Sequence, residues 1–356
     1  MRALALTTGG PSLRSDWPLP TPGQGEMLVR VLRAGICETD LQLIRGYMGF
    51  AGVLGHEFVG IAEGGPFDGR RVVGEINCSC WTCEICRSGM PTHCPHRTTI
   101  GISGRSGAFA DFVSVPQRNL HLVPDSVPTD AAVFAEPLAA AFQIPAQVTI
   151  RPADRVIVLG DGRLGNLCAQ VLAEFTRHVL VVGKHPEKLA LLQSLGLATC
   201  LLPDAPFDDH ADIVVDCTGS ETGLNTALGL VRPRGTIVLK TTVADREGPP
   251  RKGSKGSPHK GSKAPPRMGN SLSRVVVDEI TILGSRCGPF DRALAALELG
   301  SIQVLPLISD RFDLSRGVEA LERAAAPGVL KVLLDVSHDA GESNHDAARA
   351  FTARET

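Results

Sequence analysis

Arg155-Val156-Ile157-Val158-Leu159-Gly160-Asp161-Gly162-Arg163-Leu164-Gly165 is the stretch on which the fold turns. The aliphatic run Val156 to Leu159 reads as a buried strand. Behind the glycines, Leu164, Leu167, Cys168, Val171, Leu172 and Phe175 recur at the i, i+3, i+4, i+7 spacing of a helix with one apolar face. Three glycines at this spacing are a weak signal alone, but between a strand and a helix they acquire a physical purpose. Gly160 permits the turn, Gly162 lets a pyrophosphate approach the helix N-terminus, and Gly165 lets helix and turn pack closely. Gly160, Gly162, Arg163, Leu164 and Gly165 are the candidate cofactor residues. The competing reading is a plain tight turn in an α/β protein.

Outward from this unit the alternation repeats. A strand at His178 to Val182 is followed by a helix from Pro186, a strand at Ile213 to Val215, a helix from Glu221 to Val231 and a strand at Thr236 to Leu239. Residues 146–290 therefore read as one doubly wound parallel-sheet domain. Residues 1–145 lack the alternation and carry short strands between turns such as Pro22-Gly23 and Gly64-Gly65-Pro66, so they read as β-rich. After Asp291, a helix, a strand near Val304 to Ile308, another helix and the strand Val329 to Val336 are too few for a core of their own. Residues 291–336 are expected to complete the first domain, with 337–356 a polar tail. Within the second domain, about 245–270, Arg246 to Lys263 holds basic, Gly, Ser and Pro residues and no apolar side chain, which predicts a disordered basic insert.

The chain has 356 residues, enough for two domains, and a formal net charge of -2 that argues against a nucleic-acid surface outside the insert. No apolar run approaches the roughly 20 residues of a membrane span. The first residues, Met1 to Leu6, turn polar at Thr7-Thr8 and read as a strand rather than a secretory signal, so a cytoplasmic protein is expected. In that setting its ten cysteines point to metal binding rather than disulfides.

Four of those thiols, Cys80, Cys83, Cys86 and Cys94, fall in one short Gly- and Pro-containing lobe with the spacing that wraps a tetrahedral zinc. A closed set of four protein ligands is structural, although Cys78 could replace Cys80 on spacing alone. A second group is dispersed: Cys37 in Gly-Ile-Cys-Glu-Thr-Asp, His56 and Glu57 in Gly-His-Glu-Phe-Val-Gly, and Glu136 in Ala-Glu-Pro-Leu.

With these motifs the sequence, from Met1 to about Val336, resembles the zinc-containing medium-chain dehydrogenase/reductase family. The resemblance implies a GroES-like catalytic domain, split in sequence around a Rossmann cofactor domain. It implies that Cys37 and His56 bind a catalytic zinc, that Thr39 carries the substrate-side hydroxyl, and that the four-cysteine lobe holds a second zinc. Glu136 is similar to the third ligand of the polyol, sugar and threonine dehydrogenase branch, and Glu57 to the glutamate behind the metal. Two zinc ions per chain, a small alcohol or polyol substrate and a homodimer or homotetramer follow as expectations.

A thiolate, an imidazole and a carboxylate leave one position on zinc open, where an alcohol can lose its proton near neutral pH. Gln42 stands where some relatives carry the last histidine of a proton relay, so a relay here needs another group. Tyr47, the only tyrosine, is a candidate pocket residue. At the end of the second strand, where NAD-specific domains carry an acid, stand Gly183, Lys184 and His185. Gly183 is read as giving room and Lys184, His185 and Arg163 as offering charge to a 2′-phosphate, which favours NADP over NAD. The rivals are a zinc-independent alkenal or quinone reductase on the same scaffold and a zinc-lobe protein that binds nucleic acid through the basic insert.

Overall fold

The computed structural model describes residues 1–207, 210–241 and 271–337. The basic insert and the tail lie outside these residues. Six parallel strands form one sheet in the order Ala198–Leu201, Val179–Gly183, Val156–Leu159, Ala211–Asp216, Val231–Leu239, Thr281–Gly284. This is the 3-2-1-4-5-6 order of a Rossmann domain, in which the chain reverses direction across the sheet beside the first strand. Val156, Ile157, Val158 and Leu159 are all buried, as a strand covered on both faces requires.

The glycine turn is built as its spacing predicts. Gly160 has φ +110, and a Cβ on Gly165 would overlap the Gly160 carbonyl oxygen, so neither position takes another residue without a shift. The helix Arg163–Ala173 follows at once.

A second sheet centres on Glu26–Gly35, which pairs antiparallel with Glu57–Glu63 and with Phe112–Pro116. Its other neighbour, also antiparallel, is Lys331–Asp335 from the end of the described chain. Ile308–Asp313 adds beyond that strand. The chain thus leaves the β-rich sheet, builds the parallel one and comes back. The return strand begins at Ile308 rather than Val304, because Pro306 sits in a helical turn at Leu305–Leu307. No helix among the described residues is long and apolar enough to cross a membrane.

One apolar cluster joins the two sheets. Val59 and Val73 from the β-rich part share it with Val156 and Val158 from the parallel sheet, and Phe134 and Leu138 lie between them. The helix Ala135–Gln147 packs against both Arg163–Ala173 and Phe290–Leu299, so it spans the junction. Phe134→Ala is expected to cost about 3–5 kcal/mol in urea unfolding, since the ring is 1% exposed and its neighbours belong to two domains that cannot both collapse into the gap.

Candidate active site and metal centres

Cys37 caps the short helix Glu38–Ile44. Asp40, in the first turn of that helix, accepts the Cys37 N–H at 2.8 Å and the Gly55 N–H at 3.2 Å. One buried carboxylate thereby fastens the segment that carries Cys37 to the one that carries His56. It also lies 3.4 Å from His56 Nδ1, which fixes the ring so that its other nitrogen is free for a metal. Donor atoms of Cys37, His56 and Glu57 all lie within 4.8 Å of one another.

Burial opposes charge on both Cys37 and His56. Their charged neighbours prevail: His56, then Arg163, bring the thiol down to about 6, and Asp40, then Cys37, raise the imidazole well above its usual value. A thiolate beside a cation-loving ring and a carboxylate is a donor set that a divalent metal fits.

Glu136 is not part of the tight group that the donor atoms form. The carboxylate that closes the tight group with Cys37 and His56 is Glu57, which contacts the ammonium of Lys331, both side chains being buried. Glu136, on the first turn of Ala135–Gln147, lies within electrostatic reach. Burial pushes its carboxyl up to about 7, Cys37 and Asp40 add to the rise, and His56 and Lys240 oppose it. Lys331 was not singled out from sequence, although a lone lysine within Val329-Leu330-Lys331-Val332-Leu333-Leu334 is a signal. Asp40 was missed too; three residues after a capping residue, it occupies the reciprocal position of a capping box.

The Thr39 hydroxyl lies 3.7 Å from Cys37 Sγ. Gln42 donates its amide to Glu38 Oε1 at 2.9 Å. Tyr47 packs against the core of the β-rich domain and is not among the residues lining the cavity described below.

In the lobe, the sulfurs of Cys80, Cys83, Cys86 and Cys94 are mutually within 4.8 Å, with Cys94 3.5 Å from Cys80 and 3.8 Å from Cys83. A tetrahedron with metal–sulfur bonds of about 2.3 Å has edges of about 3.8 Å, so the four thiols fit zinc. Amide and hydroxyl hydrogen bonds from Thr82 draw the Cys80 thiol down to about 5. Cys78 stays outside this group, its thiol raised to about 11 by burial.

At the cofactor turn, a Cβ on Gly162 would meet nothing within 4 Å, which leaves the N-terminus of Arg163–Ala173 open to an anion. Leu164 packs against the core and lends only its backbone. Two residues expected near a 2′-phosphate have other neighbours. Arg163 turns to the other domain, donating to the Ile36 carbonyl at 2.9 Å and lying 3.9 Å from Glu38. Gly183 leaves no room, because the Asp161 side chain fills the space beside it. Lys184 and His185 are exposed at that edge. A cavity of about 400 Å³ opens at the carboxyl ends of the parallel strands, lined by His93, Gln143, Lys240, Arg286 and Cys287 among others.

Residues 23–125 match the alcohol dehydrogenase GroES-like domain. Glucose 1-dehydrogenase of Methanocella arvoryzae is 32% identical over 67% of this chain and 75% of its own. Sorbitol dehydrogenase of Halalkalibacterium halodurans is 27% identical over 94% and 99%. Among solved structures, a zinc-binding dehydrogenase from Sinorhizobium meliloti bound to NADP superposes with a TM-score of 0.81 at 26% identity, over 94% of this chain and 99% of the other.

Metal uptake by metal-free protein, followed by titration with zinc at fixed ionic strength, is expected to weaken as pH falls from about 7 to 5. Glu136 and Cys37, with values of about 7 and 6, take up protons across that window and must shed them to bind. Affinity that stayed flat across it would show that other donors hold the ion.

Proposed function

Since the chain belongs to the zinc-containing medium-chain dehydrogenase/reductase family, we propose that it is a zinc-dependent dehydrogenase moving a hydride between a secondary alcohol, polyol or sugar hydroxyl and a nicotinamide cofactor. One observation carries this reading. Arg163, inside the glycine turn, bonds to the carbonyl of Ile36, the residue before Cys37, so the glycine turn and the segment that bears a candidate metal donor are in contact, which supports the reading. Hydride transfer needs that adjacency; neither a nucleic-acid surface nor a metal-free reductase needs the buried donors.

Cys37, His56 and Glu136 hold the catalytic zinc in this reading, while Glu57 and Lys331 form a paired charge behind it. Zinc held by these residues would supply the Lewis acidity that lets an alcohol ionise near neutral pH, and a nicotinamide bound at the glycine turn would supply the hydride acceptor. Asp40 orients His56. Thr39 hydrogen-bonds the substrate hydroxyl and passes its proton outward. Gln42, engaged by Glu38, is no proton carrier, so the proton from Thr39 would leave through another group. The lobe of Cys80, Cys83, Cys86 and Cys94 holds a second zinc and gives a segment with few buried apolar residues its fold. The sorbitol and glucose dehydrogenases among the relatives support a polyol or sugar substrate. A homodimer or homotetramer joined at the Thr281–Gly284 end of the parallel sheet completes the proposal.

Metal analysis of the purified protein is expected to give two zinc ions per chain. Cys37→Ser removes one of them and nearly all turnover with the fold intact, whereas Cys83→Ser lowers Tm and loses the other. Absence of zinc from undamaged protein would sink the proposal. In a screen of alcohols, polyols and sugars against both nicotinamide cofactors, the substrate found should lose about 10²–10⁴-fold in kcat in Thr39→Val, the usual worth of a positioned proton-transfer group.

A further inference from the structure

Resting on the nicotinamide-linked reading above, we propose that Asp161, inside the glycine turn, replaces the acid missing from the end of the second strand, reads the adenosine ribose, and sets a preference for NAD over NADP. In a Rossmann domain the strand-end acid accepts hydrogen bonds from the ribose hydroxyls. Here that position is Gly183, buried and paired with Leu201 of the neighbouring strand. A Cβ built on Gly183 would overlap Asp161 Oδ2 and stand 2.6 Å from Asp161 Cβ and 2.8 Å from its Cγ. The Asp161 carboxylate therefore occupies the volume that a strand-end aspartate would fill, reached from the turn instead of the strand.

The group is held there firmly. Oδ2 accepts the backbone N–H of Lys184 at 2.7 Å and of His185 at 2.8 Å, and the His185 ring nitrogen Nδ1 lies 3.0 Å from Oδ1. Burial works against its ionisation, but the bonds from His185 and Lys184 outweigh burial and keep the carboxyl below its usual range. A negative charge is thus fixed at the edge where the adenosine ribose rests. Oδ2 is committed to two amides. Oδ1 has only the imidazole, which also lies 3.1 Å from Oδ2; the Asp161 side chain is 7% exposed and the His185 side chain 47%, so in this proposal the ring turns aside when the dinucleotide binds and Oδ1 then accepts from a ribose hydroxyl.

A 2′-phosphate would bring a charge of about −1.5 to −2 against this carboxylate. Arg163 does not offset it, being bonded across to the Ile36 carbonyl. Among the described residues next to Asp161, Lys184 is left as the cation, one group where a phosphate is commonly held by several.

The test is binding of NADH and of NADPH, by fluorescence titration at fixed ionic strength, in the parent, Asp161→Asn and Gly183→Asp, with kcat/KM for both cofactors alongside. The parent is expected to bind NADH at least tenfold more tightly. Asp161→Asn, which keeps the shape and an acceptor oxygen, is expected to move the NADH to NADPH ratio at least tenfold toward NADPH at unchanged Tm. Gly183→Asp must displace Asp161 and is expected to weaken both cofactors. A parent that binds NADPH as well as NADH, an unchanged ratio in Asp161→Asn, or a Gly183→Asp that loses NADPH alone would each overturn the assignment while leaving the dehydrogenase reading intact. A folded parent that binds neither dinucleotide would refute that reading and this proposal with it.

Discussion

A single buried ammonium group gathers the pieces of the metal site. Lys331 contacts Glu57, approaches the Ile36 carbonyl at 3.4 Å, and sits 5.6 Å from the centre of the Phe134 ring. Those three partners adjoin His56, Cys37 and the helix that carries Glu136. A lysine removed from water is tolerable only against opposite charge, and a Glu57 carboxylate stripped of its cation would be as costly, so each fixes the other. Burial lowers the Lys331 ammonium to about 8, against the pull of Cys37 and Asp40. The constraint reaches across the chain, because Lys331 lies 295 residues beyond Ile36 and can arrive only if the last strand returns to the first sheet.

That return explains why the protein is assembled as a split domain around a continuous one. The glycine turn and its helix are contiguous in sequence, since a nucleotide phosphate needs only a strand, a turn and a helix N-terminus. The metal site needs charges of opposite sign brought together away from water, and these come from Cys37, Asp40, His56, Glu57 and Lys331 on separate segments. Asp40 does for the front of the site what Lys331 does for the back: it binds the Cys37 and Gly55 amides and faces the His56 ring.

The fold was legible where the physics is local. The run Val156 to Leu159 and the apolar stripe from Leu164 to Phe175 report their periodicity without help from distant residues, and four thiols inside fifteen residues can reach one ion whatever surrounds them. Charged residues were harder to place. Lys331 and Asp40 look like surface groups until a partner far along the chain is brought to them. Pattern reading also treats an empty position as empty space: the missing strand-end acid at Gly183 reads as room in the sequence, whereas in space the room belongs to Asp161, 22 residues earlier. Glu57 and Glu136 illustrate the same limit, since spacing cannot rank two carboxylates whose separation from Cys37 is set by packing.

The two domains are joined electrically as well as mechanically. Arg163 belongs to the cofactor turn, yet its guanidinium helps hold the Cys37 thiol as a thiolate and bonds to the carbonyl just before it. Cys37 belongs to the metal site, yet the segment it caps accepts the cofactor turn through Ile36. A guanidinium used this way is turned from the second strand, and the side chain that lies beneath that strand comes from Asp161 in the same turn. Arg163 and Asp161 stand two residues apart with Gly162 between them, and the turn sends their side chains to different partners: one to the Ile36 carbonyl, one beneath the second strand. The glycine that separates them leaves the helix N-terminus open between a cation and an anion, so three consecutive residues set the charge pattern that an approaching anion would meet.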